Sequence, residues 1–314
     1  MPYVALVPAT RASRLAMATA RWDAILAVRP DLTPAIELQR KLIGPVIDLI
    51  DRVEHGRLPR LSLPARYVAA KLAKGVPAFA AEPIPMPTAV LKPTLLELCR
   101  ELARGGAGDS AEHIRTAIDA GTLEAGSLLT ASLNRDQKAI KVGGAHRGLA
   151  ADLLWLVAEL AVSPFAHALQ QMLLFPMGQV GPDAALQTAL DRWRQGYCPL
   201  CGSWPALVES LNGARVLRCS FCALAWSLDD RACLYCGESG EAFTTSAPDP
   251  SRPDRRLETC RTCKSYIKTV DTDELLPFPL VAIGDLETMD LDVLAMQQGF
   301  QRPPLKAFAS TTLA

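Results

Sequence analysis

What this 314-residue chain lacks narrows its chemistry before any motif is read. It has no excess charge, with 33 Lys and Arg against 33 Asp and Glu, so no overall field draws it to nucleic acid or an anionic membrane. Histidine is scarce: His55, His113, His146 and His167 are scattered without metal-ligand spacing and read as surface or packing residues. No P-loop and no Ser-His-Asp arrangement can be made out, and the glycines of "KVGGAHRG" (141–148) follow no strand signal, which leaves a phosphate-loop reading weak. Long apolar runs are missing too. The N-terminal run stops at Pro8 with no cationic side chain ahead of it, unlike a secretory leader. Leu160 to Gly181 is interrupted by Pro164, Pro176 and Gly178 and holds three glutamines, so it is not read as a membrane span. The expectation is a cytoplasmic, non-enzymatic globular protein, long enough for two domains.

Residues 1–195 read as an all-helical domain. "RASRLAMATARWDAILAV" and "TPAIELQRKLIGPVIDLIDRV" repeat apolar residues at intervals of three and four. In the second, Thr33 is expected as N-cap, with Pro34 at the first helical position and Gly56 past the end. "LPARYVAAKLAKG", "PTLLELCRELARGG" and "DSAEHIRTAIDAG" are shorter helices closed by glycine. "GLAADLLWLVAELAV" is apolar on most sides and is expected at the centre of the bundle, before "GPDAALQTALDRWRQ". The five prolines of "GVPAFAAEPIPMPTAVLKP" mark a surface crossover. Cys99, on a helical face, reads as a small buried apolar residue.

From Gly196 the chain changes to short β-type runs, turns and cysteines. Eight of the nine cysteines fall into four C-x-x-C pairs: Cys198/Cys201, Cys219/Cys222, Cys233/Cys236 and Cys260/Cys263. The order knuckle, loop, strand, knuckle, strand occurs twice, with 17 and 23 residues between the paired knuckles. In a reducing compartment such spacing points to metal before disulfide. Two C-x-x-C turns can aim four thiolates at one ion, giving a closed zinc site or a rubredoxin-type iron site. The repeat places Cys198, Cys201, Cys219 and Cys222 on one ion and Cys233, Cys236, Cys260 and Cys263 on another, although a cross-braced pairing is also conceivable. The metals are expected to hold the fold, because so small a β module has little core of its own. None of the pairs opens a helix after a strand, as a thioredoxin-type thiol pair would. Nucleic-acid binding is disfavoured: residues 196–276 carry nine Lys/Arg against eleven Asp/Glu, a net of minus two. The aromatics Phe221, Trp226, Tyr235 and Tyr266 are expected to pack the ribbons.

"CPLCGSWP", "RVLRCSFCALAW", "RACLYCGESG", "ETCRTCKSYIKTVD" and "GDLETMDLDVLAMQQGFQRP" occur in this order and together resemble the formate dehydrogenase accessory proteins of the FdhE family. The resemblance is specific from Tyr197 to about Arg302 and weaker over the helical half, where mainly "RASRLAMATARWDAILAVRPD" agrees. All eight paired cysteines fall on the family motif. Gly284 stands where the family commonly has a second aspartate, and Ala223 and Lys264 stand where the other two knuckles have Gly202 and Gly237. The resemblance implies an α+β protein with a helical domain (1–195), two tandem rubredoxin-like modules (196–230 and 231–276) and a C-terminal helical segment and tail (277–314). It implies two metal ions per chain, usually assigned as iron, with zinc readily accepted. It also implies a maturation factor that contacts the molybdenum- or tungsten-containing catalytic subunit of a respiratory formate dehydrogenase before twin-arginine export. A redox-active rubredoxin-like electron carrier and a nucleic-acid-binding zinc-ribbon protein are the alternatives, and a homodimer is left open.

Overall fold

A computed structural model describes residues 9–56, 63–175, 181–228 and 231–308. The N-terminal run to Pro8, expected not to be a secretory leader, lies outside them together with Pro176 and Gly178. Two compact units are present.

The helical unit is built from residues 9–56 and 79–175. Helix α1 (Arg11–Val28) is capped by Thr10, whose hydroxyl accepts the Ser13 N–H, and buries Ala18, Trp22 and Ile25 on one stripe. Thr33 is not the N-cap of α2 (Thr33–His55): a 3-10 turn at Pro30–Leu32 leads directly into the helix, so Thr33 is already helical and its hydroxyl donates to the Pro30 carbonyl. Helix α4 (Thr88–Leu102) starts earlier than the proline pattern suggests. Pro93 sits inside it and costs only one hydrogen bond near the start, so the expected crossover is partly helical. Cys99 is fully buried on α4, and burial pushes its thiol up to about 12. After α5 (Gly108–Asp119) come two helices the sequence reading missed, α6 (Ala125–Leu133) and α7 (Gln137–Ala145), each only nine residues long. Their caps, Glu124 and Asp136, accept N–H bonds from Ser127 and Ala139. The glycines of "KVGGAHRG" lie in α7 and the turn after it, not in a phosphate loop.

Helix α8 (Ala151–Leu174) packs against α2, α4, α6 and α7. Pro164 does not interrupt it. The carbonyl of Leu160 that loses its N–H partner there accepts the Ser163 hydroxyl at 3.2 Å. By length and composition α8 could cross a membrane, but 72% of its most apolar stretch is buried inside the protein, as in the core helix of a bundle.

The second unit takes in residues 63–78 and 182–306. Helices α3 (Ala65–Ala73) and α9 (Ala184–Asp191) pack on each other. The cysteine region forms one six-stranded sheet from β1 (Pro205–Leu211), β2 (Ala214–Cys219), β3 (Ala225–Ser227), β4 (Phe243–Ser246), β5 (Arg255–Cys260) and β6 (Ser265–Thr272), in the order β3-β2-β1-β6-β5-β4. The two sequence copies are therefore fused. Within each copy neighbours are antiparallel, and the copies join by parallel pairing of β1 with β6 from Val208↔Thr269 to Leu211↔Thr272. Asn212 and Gly213, both at positive φ, close the β1–β2 hairpin in two residues.

Side chains alternate across the sheet. One face carries Leu257 and Tyr266, which pack with Leu291 and Ala295 of α11 (Met289–Gln297), preceded by α10 (Val281–Glu287). Lys268 is fully buried on this face; its ammonium donates to the Asp292 carboxylate at 2.6 Å and the Asp285 carbonyl at 2.7 Å. Arg302 joins both aspartates, at 2.8 and 3.0 Å, and the Tyr266 hydroxyl donates to Asp292. The closing motif is thus an ionic clamp on the sheet. The other face presents a polar groove of about 770 Å³, in which Arg215 pairs with Glu258 and Arg256 with Asp271.

Between β1 and β2, Glu209 and Arg218 form a buried pair, and Arg218 also donates to the Leu276 carbonyl. Removing one member leaves an uncompensated charge out of water. Arg218→Met is expected to lower the unfolding free energy by about 3–5 kcal/mol in denaturant titration, and adding Glu209→Leu is expected to restore much of it. Burial raises the pKa of Asp285, but the charges of Arg302 and Lys268 more than offset this and hold it below the ordinary carboxylate value. A depressed folded-state pKa stabilises above the unfolded value and is lost below it, so stability should fall as pH drops through about 4. Asp285→Asn should flatten that part of the pH–stability curve.

Candidate metal centres

Each C-x-x-C pair sits in a tight knuckle whose backbone turns back on itself. The N–H of the first cysteine bonds the carbonyl five residues on: Cys198 to Ser203, Cys219 to Leu224 and Cys233 to Glu238, at 2.8–2.9 Å. Cys260 is paired with Ser265 in the β5–β6 ladder at the same spacing. Such a turn needs a left-handed residue directly after the second cysteine. Gly202 and Gly237 have φ of 80°, and Ala223 and Lys264 take the same region at 57° and 56°. Glycine does this without cost, whereas alanine and lysine are strained there. The departure from glycine at two knuckles therefore leaves their geometry intact.

The structure brings the eight cysteines together in two groups. In the first, Cys198 Sγ lies 3.7 Å from Cys222 Sγ and Cys201 Sγ 3.4 Å from Cys219 Sγ. In the second, Cys233–Cys263 and Cys236–Cys260 are each 3.6 Å apart. Within each group all four sulfurs lie within 4.8 Å of one another. The grouping follows the repeat, not a cross-brace. A disulfide would need a separation of about 2.05 Å; four sulfurs about 2.3 Å from one tetrahedral ion stand about 3.8 Å apart. All eight are free thiols. Among the described residues these are the groups placed to share an ion, and no histidine belongs to either.

The donor set suits a soft or borderline dication. Burial drives the Cys198 and Cys222 thiols well above their ordinary value, so four thiolates here need a cation to balance them. At Cys260 burial acts against ionisation, but the N–H groups of Cys263 and Thr262 and the Cys236 side chain bring its thiol down to about 7. The N–H groups of Phe221 and Cys222 point at Cys219 Sγ, at 3.4 Å each. The first group is enclosed, with all four cysteines buried beside buried Phe221 and Trp226; in the second, Cys236 is exposed and Cys263 half-buried. Tyr266 is buried and Tyr235 half-buried, so the aromatics pack the sheet as expected.

Further contacts hold the knuckles. The Ala78 N–H donates to the Pro199 carbonyl and the Tyr197 hydroxyl to the Gly75 carbonyl, tying the segment after α3 to the first knuckle. Rings step from Trp193 through Tyr197 and Trp204 to Tyr235, at 5.4, 5.7 and 4.9 Å between centroids. Gly196 lies so close to the third knuckle that a Cβ would stand 1.9 Å from the Leu234 carbonyl oxygen. The sequence reading missed Gly196, although a glycine two residues ahead of a knuckle was the available signal.

The fold and the two clusters define a helical protein joined to a double four-thiol ribbon. No family model matches the chain. Its sequence is 37% identical over 122 residues to a protein named FdhE homolog from Aquifex aeolicus, a match covering 35% of this chain and 40% of that protein. It is 29% identical over 150 residues to protein FdhE of Escherichia coli, covering 46% and 47%. The FdhE homolog of Pseudomonas putida is 32% identical over 160 residues, covering 45% and 46%. The matched stretch thus spans less than half of each of these curated relatives. The crystal structure of the FdhE protein from Pseudomonas aeruginosa has the same fold, with a TM-score of 0.57 at 20% identity over 93% of this chain and 95% of that one. The sequence matches are thus to proteins named FdhE or FdhE homolog, and the structural match shows a shared fold.

Two substitutions test the knuckle geometry. Lys264→Gly should raise the thermal midpoint of the metal-loaded protein, by a stabilisation of at most about 1 kcal/mol. Gly196→Ala should lower it, at a cost of about 1–3 kcal/mol for the forced shift of backbone.

Proposed function

We propose that the chain is a non-catalytic accessory factor for maturation of a respiratory formate dehydrogenase. In this reading it engages the molybdenum- or tungsten-bearing catalytic subunit in the cytoplasm before twin-arginine export. The observation that carries it is the similarity to proteins named FdhE, joined to the convergence of all eight paired cysteines on two points.

The ligands are Cys198, Cys201, Cys219 and Cys222 for one ion and Cys233, Cys236, Cys260 and Cys263 for the other. Iron is favoured through the family resemblance, and the same thiolates fit zinc. A four-thiolate iron supplies one-electron chemistry when bound, whereas zinc only braces the fold. The protein residues supply the frame: knuckle N–H groups steady the sulfurs, and the Lys268–Asp285–Asp292–Arg302 clamp holds α10 and α11 to the sheet. On α11, Met289, Val293 and Met296 are exposed at a spacing of one helical face, and they give the proposed docking surface an apolar, adaptable strip.

The test is co-purification. The full chain, tagged and expressed without oxygen alongside its formate dehydrogenase, should retain the catalytic subunit and carry two metal ions. The double variant Val293→Asp/Met296→Asp should lose the subunit without a shift in thermal midpoint. A wild-type preparation that recovers no subunit overturns the assignment. Two irons with a reversible potential would bring electron transfer into the role; two zincs would remove it.

A further inference from the structure

The two clusters share ligand type, spacing and knuckle geometry, yet they differ in access. Around the first, Cys198, Cys201, Cys219 and Cys222 are all buried, as are Leu200 and Phe221 within the knuckle turns. The tie from Ala78 to Pro199 adds a further strand of chain to that knuckle. None of these four cysteines is more than 3% exposed.

The second cluster is built the other way round. Cys233 and Cys260 face inward, whereas Cys236 is exposed and Cys263 half-buried. The residues of the knuckle turns beside them, Gly237, Arg261, Thr262 and Lys264, are exposed as well. Across the mouth the Thr262 hydroxyl donates to the Glu238 carboxylate at 3.0 Å, an exposed bond open to competition from water. The two more accessible cysteines come from different knuckles, one from each.

We propose that the two sites are functionally unequal: the second is an exchange site, entered at Cys236 and Cys263 by a soft sulfur or nitrogen ligand, and the first is a permanent brace. This inference rests on the four-thiolate reading above. In the exchange, an incoming thiolate forms a bond to the ion as the bond to the Cys236 thiolate breaks. One anionic sulfur replaces another, the freed thiolate takes a proton from water, and no electron changes hands. The inward pair Cys233 and Cys260 retains the ion until a second ligand arrives.

The test uses the full chain loaded with zinc and challenged with the chelator 4-(2-pyridylazo)resorcinol, with iodoacetamide present to trap freed thiols. One of two equivalents should leave first, at least about tenfold faster than the other. Mass spectrometry should then find Cys236 and Cys263 alkylated ahead of all four cysteines of the first cluster. Cys236→Ser should abolish the fast phase and leave one tightly held equivalent, and Glu238→Ala, which removes no ligand, should quicken the fast phase alone. Release of both equivalents in a single phase, or alkylation of Cys198 and Cys201 as early as Cys236, overturns the inequality while leaving the metal reading standing. A chain that takes up no zinc overturns the metal reading itself, and this inference with it.

Discussion

Four sulfurs can be held within reach of one ion only if the backbone reverses sharply beside each pair. That constraint shapes the whole cysteine region. Each knuckle needs a left-handed residue after its second cysteine, and the chain supplies one four times, twice with glycine and twice at a steric cost with Ala223 and Lys264. Each knuckle also needs its neighbour at a set distance, which the strand register provides: β2 delivers Cys219 beside Cys201, and β5 delivers Cys260 beside Cys236. The sheet is in this sense a device for bringing thiols together.

Charge buried beside the knuckles completes the arrangement. Arg218 and Lys268 are wholly enclosed, an expensive position for a cation that nearby acceptors offset, although the buried Arg218 Nε–H meets none. Glu209 and the Leu276 carbonyl serve the first, and Asp285 and Asp292 the second. Both sets draw on the segment after β6. The C-terminal helices are therefore part of the same compact unit as the strands they cover.

Much of this was legible in the sequence. The four C-x-x-C pairs predicted the two groups because a knuckle is a local structure whose geometry two closely spaced cysteines nearly dictate. The long helices showed in their periodicity, although Pro93 and Pro164 misled: both lie inside helices, and at Pro164 a neighbouring serine satisfies the freed carbonyl. Helices α6 and α7 went unread although α3 and α9 are no longer than they are, and the caps Glu124 and Asp136 were the available clue. Fusion of the two copies could not be read. It depends on β1 meeting β6 across some sixty intervening positions, and no local pattern announces a parallel pair. The ionic clamp was hidden for a similar reason: Lys268 looks like an ordinary strand lysine until Asp285 and Asp292 are folded over it.

The fused sheet also bears on how many strand edges the protein exposes. Two separate three-stranded ribbons would present four edge strands, each a row of unpaired amides able to recruit another chain. Pairing β1 with β6 removes two of them. Of those left, β3 is three residues long with Ala225 and Trp226 buried, and β4 is four residues long and ends in Thr244, Thr245 and Ser246, all exposed. Short, polar or covered edges are poor templates for strand addition. A chain rich in β-type cysteine segments is thereby left with two short edge strands in place of four edges.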